Sequence, residues 1–184
     1  MNLMNERTFR ISQFGVRLGT RLEGRAAREE LLAALASIPE PGRLIVSLDG
    51  VEVLSGSFAD ETIALSCARL ATGEHGDRYL VVRSPTLEIA EDLSHKLERR
   101  HLAMLCHAGE RLEVLGQLPS PMRETLDLVN KLRETTAKEL SQLLGIRHNA
   151  CLHRVGRLAE LRLIRREETG SAGPYRAYRL SSIV

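Results

Sequence analysis

Between Thr136 and Leu161 the chain reads TAKELSQLLGIRHNACLHRVGRLAEL, and few folds accept that spacing. Thr136 and Glu139 stand as a capping box, which opens a helix. Leu140 and Leu144 share one face of it. Gly145 ends it and permits a tight turn. Ile146 fills the gap before a second helix running from about Arg147 to Leu161. Val155, Leu158 and Leu161 continue the apolar stripe at helical spacing. Ala150 is expected where the two helix backbones cross. The pattern is that of a helix-turn-helix. Ser120 as N-cap and Pro121 at the first helical position open a preceding helix with Leu126, Val129 and Leu132 on one face. After Leu161, LIRREE and YRAYRL read as two strands around TGSAGP, a hairpin tip.

The charge changes where this pattern begins. From Pro119 onward there are 12 Lys and Arg against 7 Asp and Glu, a net of +5; the residues before it hold 14 against 17, a net of −3. The split predicts two domains, 1–117 and 118–184, the second facing a polyanion. Hydrophobic residues make up 43% of 184, and there is no Trp with only three Phe and three Tyr, so the cores must be aliphatic.

The first half alternates strand and helix signals. RTFRISQFG alternates apolar and polar residues and reads as a strand. Thr20 and Glu23 form a capping box, with a helical pattern following to about Ala36. PEPG breaks it. RLIVSL and RYLVV are short apolar runs, the mark of buried strands. Between them, LDGVEVLSGSFADET leads into a helix to about Leu70. Pro85 is expected to open a further helix, with Leu87, Ile89, Ala90, Leu93 and Leu97 as its apolar positions. LAMLC and RLEVLG close the domain as strands. The order β-α-β-α-β-α-β-β packs as a small sheet with helices.

Several function classes lack their signatures. There is no G-x-S-x-G elbow, no Gly-rich phosphate loop and no G-x-G-x-x-G. The chain is therefore not read as an enzyme. Cys67, Cys106 and Cys151 are far apart without C-x-x-C, so neither a disulfide framework nor a zinc site is expected. Cys106-His107, with His101 nearby, is the nearest approach to a metal cluster and is read as a core thiol beside surface histidines. No metal or cofactor is expected. No apolar run reaches the roughly 20 residues of a membrane helix, and the first residues do not form a signal peptide. The expected location is the cytoplasm, away from membranes.

The residues from Thr136 to Leu180 resemble the winged helix-turn-helix of bacterial transcription regulators of the MarR and ArsR groups. The A-x-E-L…L-G-I core, the R-L…L-x-x-L-I exit and the hairpin carry the likeness. Arg162 departs from it, since such families usually have Gly before L-I. The resemblance implies that the second helix of the motif enters the major groove of double-stranded DNA. Arg147, His148, Asn149, His153 and Arg157 would then face the bases or phosphates, with Leu152 and Gly156 also outward. Arg165, Arg166, Arg176 and Arg179 would lie on the wing. A homodimer is expected, because one such helix covers a half-site. A winged helix that docks on protein is the alternative.

FRISQFG and LIVSLDGVEVLSGSFADE resemble a bacterial STAS-like domain of unknown function, distantly similar to the STAS domain of anti-sigma-factor antagonists. There a serine between strand and helix is phosphorylated, and Ser57 falls on that position. Two readings of Ser57 stay open: a phosphorylation switch, or the N-cap of a helix with Asp60 at the capping-box position and Asp60 and Glu61 complementing the helix dipole. Either way Ser57, Asp60 and Glu61 mark a surface for a protein partner. The fold class expected is α/β: a small STAS-like mixed sheet with helices, then an α+β winged helix-turn-helix. The function expected is a DNA-binding transcription regulator with a sensor or partner-binding domain. The alternative is a protein-interaction switch like an anti-sigma-factor antagonist.

Overall fold

In the computed structural model, which describes residues 4–172 and 175–184, the aliphatic runs of the first half become neighbouring strands. β1 (Asn5–Arg10), β3 (Gly42–Ser47), β5 (Arg78–Ser84), β6 (Ala103–Ala108) and β7 (Arg111–Gly116) form one sheet in the order β1-β3-β5-β6-β7. The first four strands are parallel, and β7 returns antiparallel to β6. β2 (Arg17–Leu18) and β4 (Val53–Leu54) make a separate two-stranded parallel ribbon. The fold is mixed α/β, and the chain divides into two compact units, 1–117 and 118–184.

In the first unit α1 (Arg21–Ala36) begins at the Thr20–Glu23 capping box read from the sequence. Its Leu31 and Leu35 are fully buried, as are Leu44 and Val46 of β3 and Val82 of β5. The helix after the serines is one continuous run in three parts: α2 (Gly56–Ala59), a π turn (Asp60–Ala64) and α3 (Leu65–Ala71). α4 (Glu91–Arg99) buries Leu93 and Leu97. Two expectations shift. The first strand stops at Arg10, because Ile11–Phe14 curl into a 3₁₀ turn with Ile11 buried. Pro85 does not open a helix; Glu88–Ala90 form a 3₁₀ turn and Leu87 stays 42% exposed.

The second unit contains α5 (Ser120–Leu132), β8 (Glu134–Thr136), α6 (Ala137–Leu144), α7 (His148–Glu160), β9 (Ile164–Ala172) and β10 (Tyr175–Ser182). Its three strands are antiparallel in the order β8-β10-β9. Leu126, Val129, Leu140, Cys151, Val155, Leu158 and Leu180 form the core. Gly145 takes the left-handed conformation (φ 63°) expected of the turn residue. The cap of α5 moves by one: Pro119 is the extended N-cap, Ser120 the first helical residue and Pro121 the second. Ala150 is exposed, and Cys151 takes the buried position instead. β8 was not expected; its Thr135 pairs with Leu180 and is buried. β9 runs on through Thr169 and Gly170, with a register shift between Ala177 and Tyr178. Of the expected hairpin tip, Gly173 and Pro174 lie outside the described residues. Among the described residues no helix is long and apolar enough to cross a membrane.

Candidate functional site

Two constellations carry the chemistry, one in each unit. In the second unit α6 and α7 meet at the Gly145 turn, where the Ile146 N–H donates to Ser141 O at 3.0 Å. The capping box at Thr136, with Glu139 reaching back to the Thr136 N–H at 3.0 Å, fixes where α6 starts. A groove of about 1040 Å³ opens between the start of α6, one face of α7 and strand β10. Thr136 lines it from the end of β8, Lys138 and Gln142 from α6, His148, Asn149 and Leu152 from α7, and Arg176, Tyr178 and Arg179 from β10.

The expected contact residues divide. Arg147 at the N-cap of α7 and His148, Asn149 and His153 on its first turns are exposed, and Arg147 has no ion pair among the described residues. Arg157 is exposed but pairs with Glu160 at 3.2 Å. Arg176 pairs with Glu168 at 3.6 Å, and Arg179 with Glu134 at 3.4 Å. Arg166 lies over the Tyr178 ring, 4.9 Å from its centroid, a cation–π contact that holds it along the sheet. Its guanidinium also passes Gly156, where an added Cβ would sit 3.5 Å from an Arg166 nitrogen. The Arg166 side chain therefore occupies the space beside Gly156. Arg165 is buried and meets Glu167 at 3.2 Å, and the β9–β10 register sets it on the sheet face opposite to Arg166 and Arg176. Arg154 is also structural: it donates to Pro121 O at 3.1 Å and ties α7 to α5.

The sequence reading missed Lys138, Gln142 and Tyr178. Lys138 and Gln142 follow from the capping box, which sets which face of α6 is outward. Tyr178 depends on the shifted register of β10, which has no local signal.

In the first unit the serines resolve into different roles. Ser55 is the N-cap: its Oγ accepts from the Phe58 N–H at 3.2 Å and donates to Gly19 O at 2.7 Å. Ser57 is therefore not the cap but the second helical residue. It is half-buried, and its hydroxyl has no hydrogen-bond partner among the described residues. Asp60 does not take the capping-box position, which Phe58 occupies. It opens the π turn instead, and Asp60 and Glu61 are both turned inward.

Those two carboxylates sit among four arginines. Arg100 grips Asp60 with two hydrogen bonds of 2.7 and 3.1 Å, and Arg21 adds a third at 3.2 Å. Glu61 meets Arg28 at 2.8 Å, Arg21 at 3.5 Å and Arg25 at 3.6 Å. Arg21, Arg25 and Arg28 share a face of α1 at helical spacing, with Gly24 between them. Gly24 lets the π turn approach: an added Cβ would lie 3.0 Å from Glu61 Cβ and 3.1 Å from Phe58 O. The Arg100 guanidinium, and after it Arg21, holds the Asp60 carboxyl below its ordinary range against the opposing effect of burial. The outward groups here are the guanidiniums of Arg21, Arg25 and Arg100, not the carboxylates.

All three cysteines are free and buried, and burial pushes the Cys67 and Cys106 thiols up to about 12. Among the described residues no group of three or more His, Cys, Asp and Glu could hold a metal ion. Comparison with known protein families, with curated proteins and with solved structures finds no match to this chain.

Proposed function

We propose that the chain is a DNA-binding transcription regulator whose second unit is a winged helix and whose first unit is a STAS-like sensor or partner-binding module. The observation that carries this reading is the groove between α6, α7 and β10. Lys138 of α6, His148 and Asn149 of α7 and the wing arginine Arg176 border a concave face, with Arg147 at the N-cap of α7. Asn149 on that face can pair with adenine, and Arg147 beside it with guanine. Lys138, His148 and Arg176 are placed for phosphates. α7 is then the helix in the major groove and β9–β10 the wing.

The test is fluorescence-polarisation binding to mixed genomic DNA fragments at low salt, followed by selection of preferred sites. Absence of binding at low salt sinks the proposal. Arg147→Ala is expected to cost about 1–3 kcal/mol on the preferred site and to relax its sequence preference. Arg176→Ala and Lys138→Ala should weaken binding on all sequences and each reduce the salt slope by about 1.

The unpartnered Ser57 hydroxyl favours a second reading, a protein-interaction switch similar to an anti-sigma-factor antagonist. A phosphate on Ser57 in purified protein, or loss of partner binding in Ser57→Glu, supports it. A Ser57→Ala protein that behaves as wild type in the cell counts against the switch.

A further inference from the structure

The first unit ends on one side in an open strand. Among the described residues β1 pairs only with β3, and the Asn5 N–H donates to Pro41 O at 2.9 Å across that pairing. In a parallel ladder alternate residues turn both backbone groups toward the same neighbour, so Asn5, Arg7 and Phe9 face β3. Glu6, Thr8 and Arg10 face away from the sheet. The Arg10 carbonyl starts the 3₁₀ turn that follows, which leaves the Thr8 and Arg10 N–H groups and the Glu6 and Thr8 carbonyls on the open edge. Natural edges are blunted by charged side chains, by proline, by a bulge or by a covering element. The strand reads NERTFR, with no proline, and its register against β3 is unbroken. A groove of about 780 Å³, lined in part by Thr8 and Arg10, borders it.

Charge on an edge strand repels other strands unless the signs complement. Here Glu6 and Arg10 stand symmetrically about Thr8, two residues to either side. We propose that β1 is a self-association site: two copies of the chain pair β1 to β1, antiparallel, about a two-fold axis through Thr8. The two Thr8 residues exchange backbone hydrogen bonds. Each Arg10 N–H donates to the Glu6 carbonyl of the other copy. Glu6 and Arg10 side chains then lie directly opposite across the junction, where cross-strand pairs interact. Such an interface is isologous and closes as a dimer.

No other centre works as well. Pairing about Glu6, Arg7 or Arg10 sets like charges against each other. Pairing about Asn5 or Phe9 leaves Arg10 or Glu6 opposite residues beyond the strand. Both groups are available: Glu6 reaches Arg43 of its own chain through one carboxylate oxygen, and Arg10 has no ion pair among the described residues. The inference rests on the first unit alone and is independent of DNA binding.

The test is the molar mass of the full chain by light scattering across a concentration series. Wild type is expected to reach twice the monomer mass. Thr8→Pro removes an N–H that the β1–β3 ladder does not use, so it should halve the mass with the circular dichroism unchanged. E6R alone and R10E alone should each be monomeric, since each opposes like charges. Mixed together they should form a one-to-one heterodimer, and the double variant E6R/R10E should dimerise as wild type does. If Thr8→Pro fails to fold, the charge series still decides. A wild type that stays monomeric, a folded Thr8→Pro that stays dimeric, or a mixture that stays monomeric overturns the proposal. A monomer that still binds DNA would leave the regulatory reading in place.

Discussion

Arg162 occupies a backbone position that suits glycine. Its φ is 60°, in the left-handed region, at the turn between α7 and β9. A side chain there costs about 1–2 kcal/mol, while glycine gives back part of that gain through the freedom of the unfolded chain. Arg162→Gly is therefore expected to raise stability by about 0.5–1 kcal/mol, read as a higher Tm. Asp60 is the opposite case, a buried group matched to its surroundings. Its folded carboxyl titrates below its unfolded value, so the stability it contributes is present at neutral pH and fades as pH falls through the folded value. Asp60→Asn should cost about 1–3 kcal/mol at pH 7 by leaving Arg100 without its charged partner. It should also flatten the acid limb of a stability-versus-pH curve measured by urea denaturation. The two capping boxes were legible in the sequence because each is settled within four residues. The choice between Ser55 and Ser57 was not. It depends on Gly19 accepting from Ser55 and on Asp92 accepting from the Gly56 N–H at 3.1 Å, both distant along the chain.

Among the elements, the helix pair α1 and 56–71 is held by charge and by close approach together. Gly24 sets the spacing, and the Thr62 hydroxyl donates to Gly24 O at 2.9 Å. Gly24→Val would drive branched carbons into Glu61, Phe58 O and Thr62. We expect it to cost about 1–3 kcal/mol, as overpacking does, and to loosen the grip of Arg21 and Arg28, visible in guanidinium proton exchange. Helices and the central strands were readable because their periodicity is local and long. The π turn was not, since nothing in DETIA differs from ordinary helical sequence. β8 was missed for a related reason: three residues gain strand identity only by pairing with β10, 43 residues on from Thr136 at Arg179.

At the scale of the whole molecule, both cores are built mainly from aliphatic side chains, with Phe9, Phe58 and Tyr79 added in the first, and each unit carries at least one buried thiol. Cys67 and Cys106 lie in the first unit and Cys151 in the second. A thiol reagent should leave all three unmodified in native buffer and modify all three on denaturation. Mass spectrometry of the labelled peptides through a urea series would then report each unit's unfolding separately, and rapid native labelling of any of the three would contradict their burial. The basic face at the start of α7 was visible in the sequence as spacing plus charge. The acidic residues that neutralise Arg157, Arg176 and Arg179 were also in the count, but their pairing depends on which strands and turns bring them together. The π turn has a last consequence for how this chain tolerates change in length. Deleting one residue from 60–64 would rewind the segment to a regular helix and, because a π turn holds one residue more than an α turn, would leave the residues after it on their present faces. Ser66, Cys67 and Leu70 would then stay in the interior, so a one-residue deletion should be absorbed better inside this turn than in the flanking α2 and α3, where it would rotate every later side chain by about 100°.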